Sequence, residues 1–315
     1  MERDCSIDAL KGCGIILMIV GHSLLPSLWA RPFLTFHMPL FFIVSGYLFK
    51  ERPLNDLIKR NLKKVMIPYF FTGCVMWFLL AILYEQYDWG ISLLWGNAYK
   101  TLSWDLSYTV GPLWFLMSFF VAMIFFALIN KIPHRWLQLV ILITLFHISI
   151  WIKEQVNMLP LGILPAIPGT LFLFLGKSLK ESKSFVYNRG SFFLGFVCYI
   201  LCCLYGQLAM SWHIYKLLLL QIIAAMFATL ILWKIIRMMG KFIFLSYVGF
   251  YSLPIMCIHS IDRHLNLTLD VVHKLNISYL PINIGLDILF KAVFVAVVFL
   301  LIKKISVFKL IYSIK

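Results

Sequence analysis

The chain has 315 residues, of which 62% are hydrophobic and only 13% are charged, and its mean hydropathy is +0.91. Soluble domains are about half apolar and about one quarter charged, so this composition excludes a soluble protein and indicates a polytopic membrane protein. A net charge of +15 suits nucleic-acid binding in a soluble chain, but here the basic residues stand in short loops between apolar runs. That pattern is typical of membrane topology, and nucleic acid is not an expected partner.

Ten apolar segments follow one another, each near the length of about twenty residues that crosses a bilayer. They predict an all-α polytopic fold of about ten transmembrane helices, forming one bundle and a single domain over residues 1–315. The predicted spans lie near 10–28, 33–50, 65–84, 112–130, 136–152, 161–179, 190–209, 214–236, 242–261 and 281–302. Neither a soluble second domain nor a cleavable signal peptide is expected.

The distribution of basic residues gives the predicted orientation. With alternate loops assigned to opposite sides, 20 Lys and Arg residues fall on the side of the termini, 6 on the other side and 2 inside spans. Such an excess marks the cytosolic side, so both termini are predicted to be cytosolic. The tryptophan-rich segment 85–111 is predicted to lie in the membrane interface or to fold back as a re-entrant piece.

Ionisable residues inside the first predicted span are the main clue to chemistry. Lys11 and His22 lie in one apolar run, where unpaired ionisable groups are costly and mark functional sites. On a helix their side chains would share one face, separated by about 16 Å along the axis. Asp8 falls on the same face, three residues before Lys11. Lys11 either binds an anionic group that enters from the cytosol or extends to lipid headgroups.

Two further histidines are predicted to lie at the depth of His22 and to surround one outward-facing cavity with it. His37 stands near the outer end of the second span and His259 near the outer end of the ninth. Histidine titrates near neutral pH and suits removal of a proton from a hydroxyl. Any one of them also fits a structural histidine that bonds a neighbouring helix. A metal site is not expected, because neither the histidines nor the seven cysteines have ligand spacing.

Two other charged groups are candidates for function. A basic cluster near the start of the third span, Arg60, Lys63 and Lys64, suits an anionic ligand from the cytosol or reports only topology. Asp287 and Lys291 stand four residues apart in the last span. They suit a proton relay or, with fewer assumptions, a mutually neutralised structural pair.

The stretch 3–50 resembles membrane acyltransferase family 3, bacterial enzymes that O-acetylate surface polysaccharides and related acceptors. The mark of the family is a basic residue, ten residues and then a histidine, as in Lys11 to His22 here, preceded by Asp8. Three later runs, 39–49, 111–116 and 249–259, are similar to further family motifs in the same order. The chain looks closest to small fucose-4-O-acetylase-like members that lack an appended extracytoplasmic esterase-like domain.

The resemblance implies transfer of an acetyl group from cytosolic acetyl-CoA to a hydroxyl of a cell-surface saccharide or its lipid-linked precursor. It implies a bacterial inner-membrane enzyme without a permanently bound cofactor, whose partners are acetyl-CoA, the saccharide and membrane lipids. His22 would act as general base, supported by Asp8 and Lys11. Ser45 and Trp114 would line the site, and an acyl-enzyme on His22 or Ser45 is the alternative mechanism. Trp114 also fits an interfacial aromatic belt, and Ser45 a packing contact between helices.

An exporter of saccharide or lipid-linked saccharide is the competing function, since it also needs many spans and a polar path. Transporters often contain two matching halves with broken helices, and the sequence shows no such pairing. Its distinctive motifs instead cluster in the first 120 residues and near 249–259. This arrangement favours the enzyme and leaves the acceptor, the acyl chain length and the oligomeric state open.

Overall fold

The computed structural model describes residues 4–98, 109–181, 189–206, 208–240, 242–275, 277 and 279–314. Over these residues the fold is helical apart from one short hairpin, which confirms the predicted all-α polytopic fold. The helices are α1 (Cys5–Gly21), α2 (Ser27–Leu34), α3 (His37–Tyr47), α4 (Leu54–Asn61), α5 (Ile67–Tyr84), α6 (Ser92–Trp95), α7 (Trp114–Ile129), α8 (Arg135–Val156), α9 (Ile163–Glu181), α10 (Arg189–Tyr205), α11 (Leu218–Met239), α12 (Ile243–Phe250), α13 (Ser252–Leu265), α14 (Leu267–Lys274), α15 (Leu280–Lys304) and α16 (Ser306–Ile311).

Short irregular elements join these helices. One π-helical turn, Leu62–Met66, links α4 to α5, and 3₁₀ turns cover Tyr87–Ile91, Gly111–Leu113, Pro160–Gly162 and Met210–Trp212. Strands β1 (Leu208–Ala209) and β2 (Ile214–Tyr215) form an antiparallel hairpin between α10 and α11. In its register Leu208 lies opposite Tyr215, and Ala209 opposite Ile214.

Within the described residues, seven helical stretches are long and apolar enough to cross a membrane. The pair α12 and α13, bent by 72°, makes an eighth if it is counted as one broken span. The two other predicted spans coincide with α1 and α10, which have 17 residues each. Helices of that length measure about 25 Å, less than the hydrocarbon thickness of about 30 Å. All ten predicted segments are therefore helical over most of their length.

The end of the first predicted span, at residue 28, is wrong. α1 stops at Gly21, and His22 caps it with φ −94° and ψ 6°. Proline has no backbone N–H and disfavours helical conformation in the residue before it, so Pro26 prevents α1 from running on. His22 therefore stands at the junction between α1 and the turn that leads to α2, rather than inside a helix.

α1 lies in the middle of the bundle, in contact with α2, α3, α11, α12, α13 and α15. Its contact with α12 is a direct backbone approach. A Cβ atom on Gly12 would overlap the carbonyl of Leu245, and one on Gly249 would overlap the carbonyl of Asp8. Only glycine permits so close an approach at these two positions. The helix that ends at His22 is thus fixed laterally by its neighbours.

The segment 85–111 packs onto the bundle where the structure describes it. Trp89 is fully buried, and its indole N–H donates to the carbonyl of Thr109 at 3.0 Å. Its ring meets that of His264 edge to face, with centroids 5.3 Å apart. Trp89 thus packs inside the protein, while the interfacial or re-entrant position of the segment stays a prediction, and Trp104 lies outside the described residues.

Candidate active site

Three histidines meet at the end of α1: His22, which caps that helix, His37 of α3 and His259 of α13. Nδ1 of His22 lies 3.2 Å from Nε2 of His259, and the two rings stack with centroids 5.5 Å apart and an angle of 2° between their planes. The ring of His37 stands perpendicular to that of His22, with centroids 6.2 Å apart. The structure thus brings together the three histidines that the sequence analysis selected. We call them the histidine cluster.

The hydrogen bonds of the cluster limit its protonation states. Nδ1 of His37 lies 3.1 Å from the carbonyl of Phe33, so this nitrogen donates and Nε2 carries the lone pair. His259 is fully buried, and its Nδ1 has no hydrogen-bond partner among the described residues. A buried unpaired nitrogen is uncommon and points to a functional site. No three His, Cys, Asp or Glu side chains in the described part of the chain are arranged to hold a metal ion.

A cavity of about 480 Å³, here called the histidine cavity, opens beside the cluster. Ligand pockets are commonly about 300–1,000 Å³, so its size suits a small molecule. His22 and His37 line it together with Trp114, and residues 208–212 of the hairpin form part of its wall. Arg263 and His264 also line it, although neither belongs to a motif that the sequence pattern singled out.

A second cavity of about 460 Å³, here called the basic cavity, lies at the other end of α3. Its polar lining consists of Ser45, Lys50, Arg52, Arg60, Asn61 and Lys64. The structure therefore brings Arg60 and Lys64 into one site, whereas Lys63 does not line it. Lys50 and Arg52 were missed, although the charge run directly after α3 was a visible signal.

The structure separates Ser45 from Trp114. Ser45 follows His37 by eight residues on α3, which is about 12 Å along the axis, and it lines the basic cavity. Trp114 lines the histidine cavity. The hydroxyl of Ser45 is therefore not placed beside the ring of His22.

Four phenylalanines of α3 and α7, here called the aromatic layer, pack against one another on the helices that connect the two cavities, and one of them, Phe119, also lines the basic cavity. Phe42 is fully buried and contacts Phe115 and Phe119, with ring centroids 5.2 Å and 5.6 Å away. Phe41 meets Phe115 at 5.8 Å. Both α3 and α7 thus carry aromatic rings between their residues of one cavity and their residues of the other.

Asp8 and Lys11 form an ion pair on α1. The Lys11 ammonium lies 2.8 Å from a carboxylate oxygen of Asp8, as their spacing of three residues predicts. The side chain of Asp8 is 9% exposed and that of Lys11 22% exposed, so the cation is paired and partly enclosed. Neither residue is among those that line the two cavities.

This fold and site define a multi-pass membrane protein with a histidine cluster beside one ligand-sized cavity and a second, basic cavity at the other end of α3. A family model described as "Acyltransferase domain" matches residues 5–303. The chain belongs to this family, and it is a membrane acyltransferase. The resemblance seen in the sequence motifs is thereby confirmed.

Part of the chain is also similar to nodulation protein NolL of Mesorhizobium japonicum. The two are 29% identical over 168 residues, a match that covers 48% of this chain and 39% of that relative. The matched part thus spans about two fifths of the length of this curated relative. No solved structure matches the chain.

Proposed function

We propose that this acyltransferase moves an acetyl group from cytosolic acetyl-CoA to a hydroxyl of a cell-surface saccharide or its lipid-linked precursor, in a bacterial inner membrane. The observation that carries the proposal is the His22–His259 hydrogen bond of 3.2 Å beside a ligand-sized cavity. A histidine oriented by a second group is the usual arrangement for a general base.

In the proposed reaction His22 removes the proton from the acceptor hydroxyl. When Nδ1–H of His22 donates to Nε2 of His259, the lone pair on Nε2 of His22 is free to accept that proton. The hydroxyl oxygen attacks the thioester carbonyl, so a C–O bond forms and the C–S bond breaks. The coenzyme A thiolate leaves and takes the proton from His22, which restores the neutral ring.

The basic cavity supports the donor half of the proposal. Its four cationic side chains, from Lys50, Arg52, Arg60 and Lys64, suit the phosphate groups of coenzyme A. An extended pantetheine arm would run along α3, past the aromatic layer, toward His22. Eight residues of α3, about 12 Å along the axis, separate Ser45 in the basic cavity from His37 in the histidine cluster, and the arm would have to span a distance of this order.

The histidine cavity supports the acceptor half. Trp114 and Trp212 line it and offer flat apolar faces, of the kind that pack against the apolar side of a sugar ring. Arg263 and Asn266 add polar groups that can bind sugar hydroxyls. The mixture of aromatic and polar lining suits a saccharide better than a purely apolar alcohol.

The test compares membranes that contain the parent protein, His22→Ala or His147→Ala. His147 is exposed on α8 and bonds the carbonyl of Ile143 in its own helix, so its variant is a matched control. We expect label from acetyl-CoA to enter saccharide ester in the parent and the control. In His22→Ala the rate should fall about a hundredfold or more at equal protein level. Normal esterification by His22→Ala would refute the proposed base, and saccharide movement without ester formation would establish the exporter instead.

A further inference from the structure

A buried ion pair on α15 lies beside the histidine cluster. Both carboxylate oxygens of Asp287 are 2.6 Å from Nζ of Lys291. The two side chains are 0% and 3% exposed. Burying two charges is expensive even when they are paired, and apolar residues of similar size are often as stable. The pair therefore has to be explained by what else it contacts.

Both members of the pair bond to the backbone where α1 ends. Oδ2 of Asp287 accepts a hydrogen bond of 2.9 Å from the N–H of Leu24. Nζ of Lys291 donates to the carbonyl of His22 at 3.4 Å. The ion pair thus holds the peptide groups that directly follow the His22 side chain.

The end of α1 needs such partners. The last carbonyl groups of a helix accept no hydrogen bond from within that helix, and they give its C-terminal end a partial negative charge. α1 has no basic residue in its last turn. Lys291 supplies from another helix the cation and the donor that the sequence of α1 lacks. Asp287 neutralises Lys291 and also binds a backbone N–H in the turn that follows.

We propose that Asp287 and Lys291 are positioning residues, which fix the His22 ring in the histidine cavity by holding the backbone of residues 22–24. The catalytic part of this inference rests on the proposed function of His22. Misplacing a catalytic group by about 1 Å costs on the order of a hundredfold in rate. The rate that a rigid attachment at the end of α1 would preserve therefore explains why a buried charge pair is kept there, although its burial is unfavourable.

The same contacts argue against a proton relay. Lys291 reaches the carbonyl of His22 and not its ring. No hydrogen bond in the described part of the chain joins Asp287 or Lys291 to an imidazole nitrogen. The pair acts on the backbone, so its role depends on hydrogen bonds and not on proton transfer.

Two double variants separate hydrogen bonding from charge. Asp287→Asn with Lys291→Gln removes both charges but keeps an acceptor for Leu24 and a donor for His22. Asp287→Leu with Lys291→Met removes the charges and the hydrogen bonds at similar volume. Because each variant replaces both residues, neither leaves Asp287 or Lys291 buried without its charged partner. Each is purified in detergent, and kcat and KM for acetyl-CoA are measured together with hydrogen–deuterium exchange of the peptide that contains residues 22–25.

We expect the Leu/Met variant to lose about thirty- to a hundredfold in kcat with KM for acetyl-CoA within about twofold. Its peptide should exchange at least about tenfold faster, while the Asn/Gln variant should stay within about fivefold of the parent in kcat and in exchange. Equal kcat or equal exchange in the two double variants would overturn the positioning role, as would a change confined to KM. Hydrogen–deuterium exchange can be measured on a protein that does not turn over. If the parent protein showed no acetyl transfer, the proposed function would be refuted, and the exchange rates of the two double variants would still test whether the pair holds residues 22–24.

Discussion

The two cavities have nearly the same volume, about 480 Å³ and 460 Å³, but they are lined by different chemistry. The histidine cavity has titratable rings and tryptophans, with Arg263 as its basic residue. The basic cavity has four cationic side chains and, among its described lining residues, no histidine. Groups that exchange protons thus stand at one end of α3, and groups that bind fixed negative charge stand at the other. We expect substitutions in the two cavities to change different kinetic constants.

The largest effect after loss of His22 itself is expected for His259→Phe. Phenylalanine fills the buried position but cannot accept the hydrogen bond from His22, so kcat should fall about a hundredfold with KM for acetyl-CoA unchanged. His259→Gln offers a carbonyl oxygen as acceptor and should recover part of the rate. Initial rates at saturating and limiting acetyl-CoA measure both constants. A tenfold rise in KM for acetyl-CoA, with kcat unaffected, would contradict the assignment of proton transfer to the histidine cavity and of donor binding to the basic cavity.

The opposite kinetic pattern is expected for Arg60→Gln combined with Lys64→Gln. Loss of two phosphate partners should raise KM for acetyl-CoA about tenfold and leave kcat within about twofold. Lys63→Gln is the matched control for the single variant Lys64→Gln, because each removes one positive charge from the same turn, but Lys63 lies outside the lining of the basic cavity. An equal effect of Lys63→Gln would mean that overall charge, and not the cavity, governs donor affinity.

A smaller effect on the donor is expected for Lys11→Ala. Lys11 lines neither cavity, but the change removes one cation and leaves the Asp8 carboxylate unbalanced, and this added negative charge should raise KM for acetyl-CoA about fivefold, whereas Lys11→Arg should keep full activity. Titration with acetyl-CoA in membranes measures both variants. Identical donor affinity in Lys11→Ala and the parent would remove Lys11 from donor binding.

The smallest effect concerns pH and the hairpin that borders the histidine cavity. Burial, with a contribution from Lys153, lowers the pKa of His213 to about 3, and its Nε2 lies 2.9 Å from the hydroxyl of Ser149. Because folding lowers this pKa, the contribution of His213 to the stability of the packed hairpin is fully present above the ordinary histidine pKa of about 6.5. It is lost as the pH falls toward 3. NMR of ¹³C-labelled histidine, with His213→Gln to assign the signal, should show no titration above pH 5. A midpoint near 6.5 would show that this side chain is not held in the packed hairpin.

The histidine cluster was predictable because its members are rare polar residues in apolar runs, and counting residues along each run gives their depth. The position of Ser45 follows from the same count, since eight residues of helix separate it from His37. Lys50 and Arg52 stand in a visible charge run after α3, but a general excess of basic residues in short loops looks the same with or without a cavity, so the run indicated only topology.

The end of α1 was less accessible to sequence reasoning. Pro26 signalled a stop, but the hydrophobic run continues past His22 and favoured a longer helix. The partners that satisfy this end, Asp287 and Lys291, lie more than 260 residues away along the chain. Their spacing of four residues revealed that they pair with each other, and only the packing of α15 against α1 revealed what they hold.

The aromatic layer has a consequence for the membrane in which the protein sits. Two hydrated pockets joined end to end would form a pore, through which ions would drain the electrochemical gradient. Rings of Phe41, Phe42, Phe115 and Phe119 interrupt that route with a hydrocarbon-like partition, where a bare ion is strongly disfavoured. On the proposed topology, with one cavity open to each side of the membrane, such a partition would keep the bundle electrically sealed.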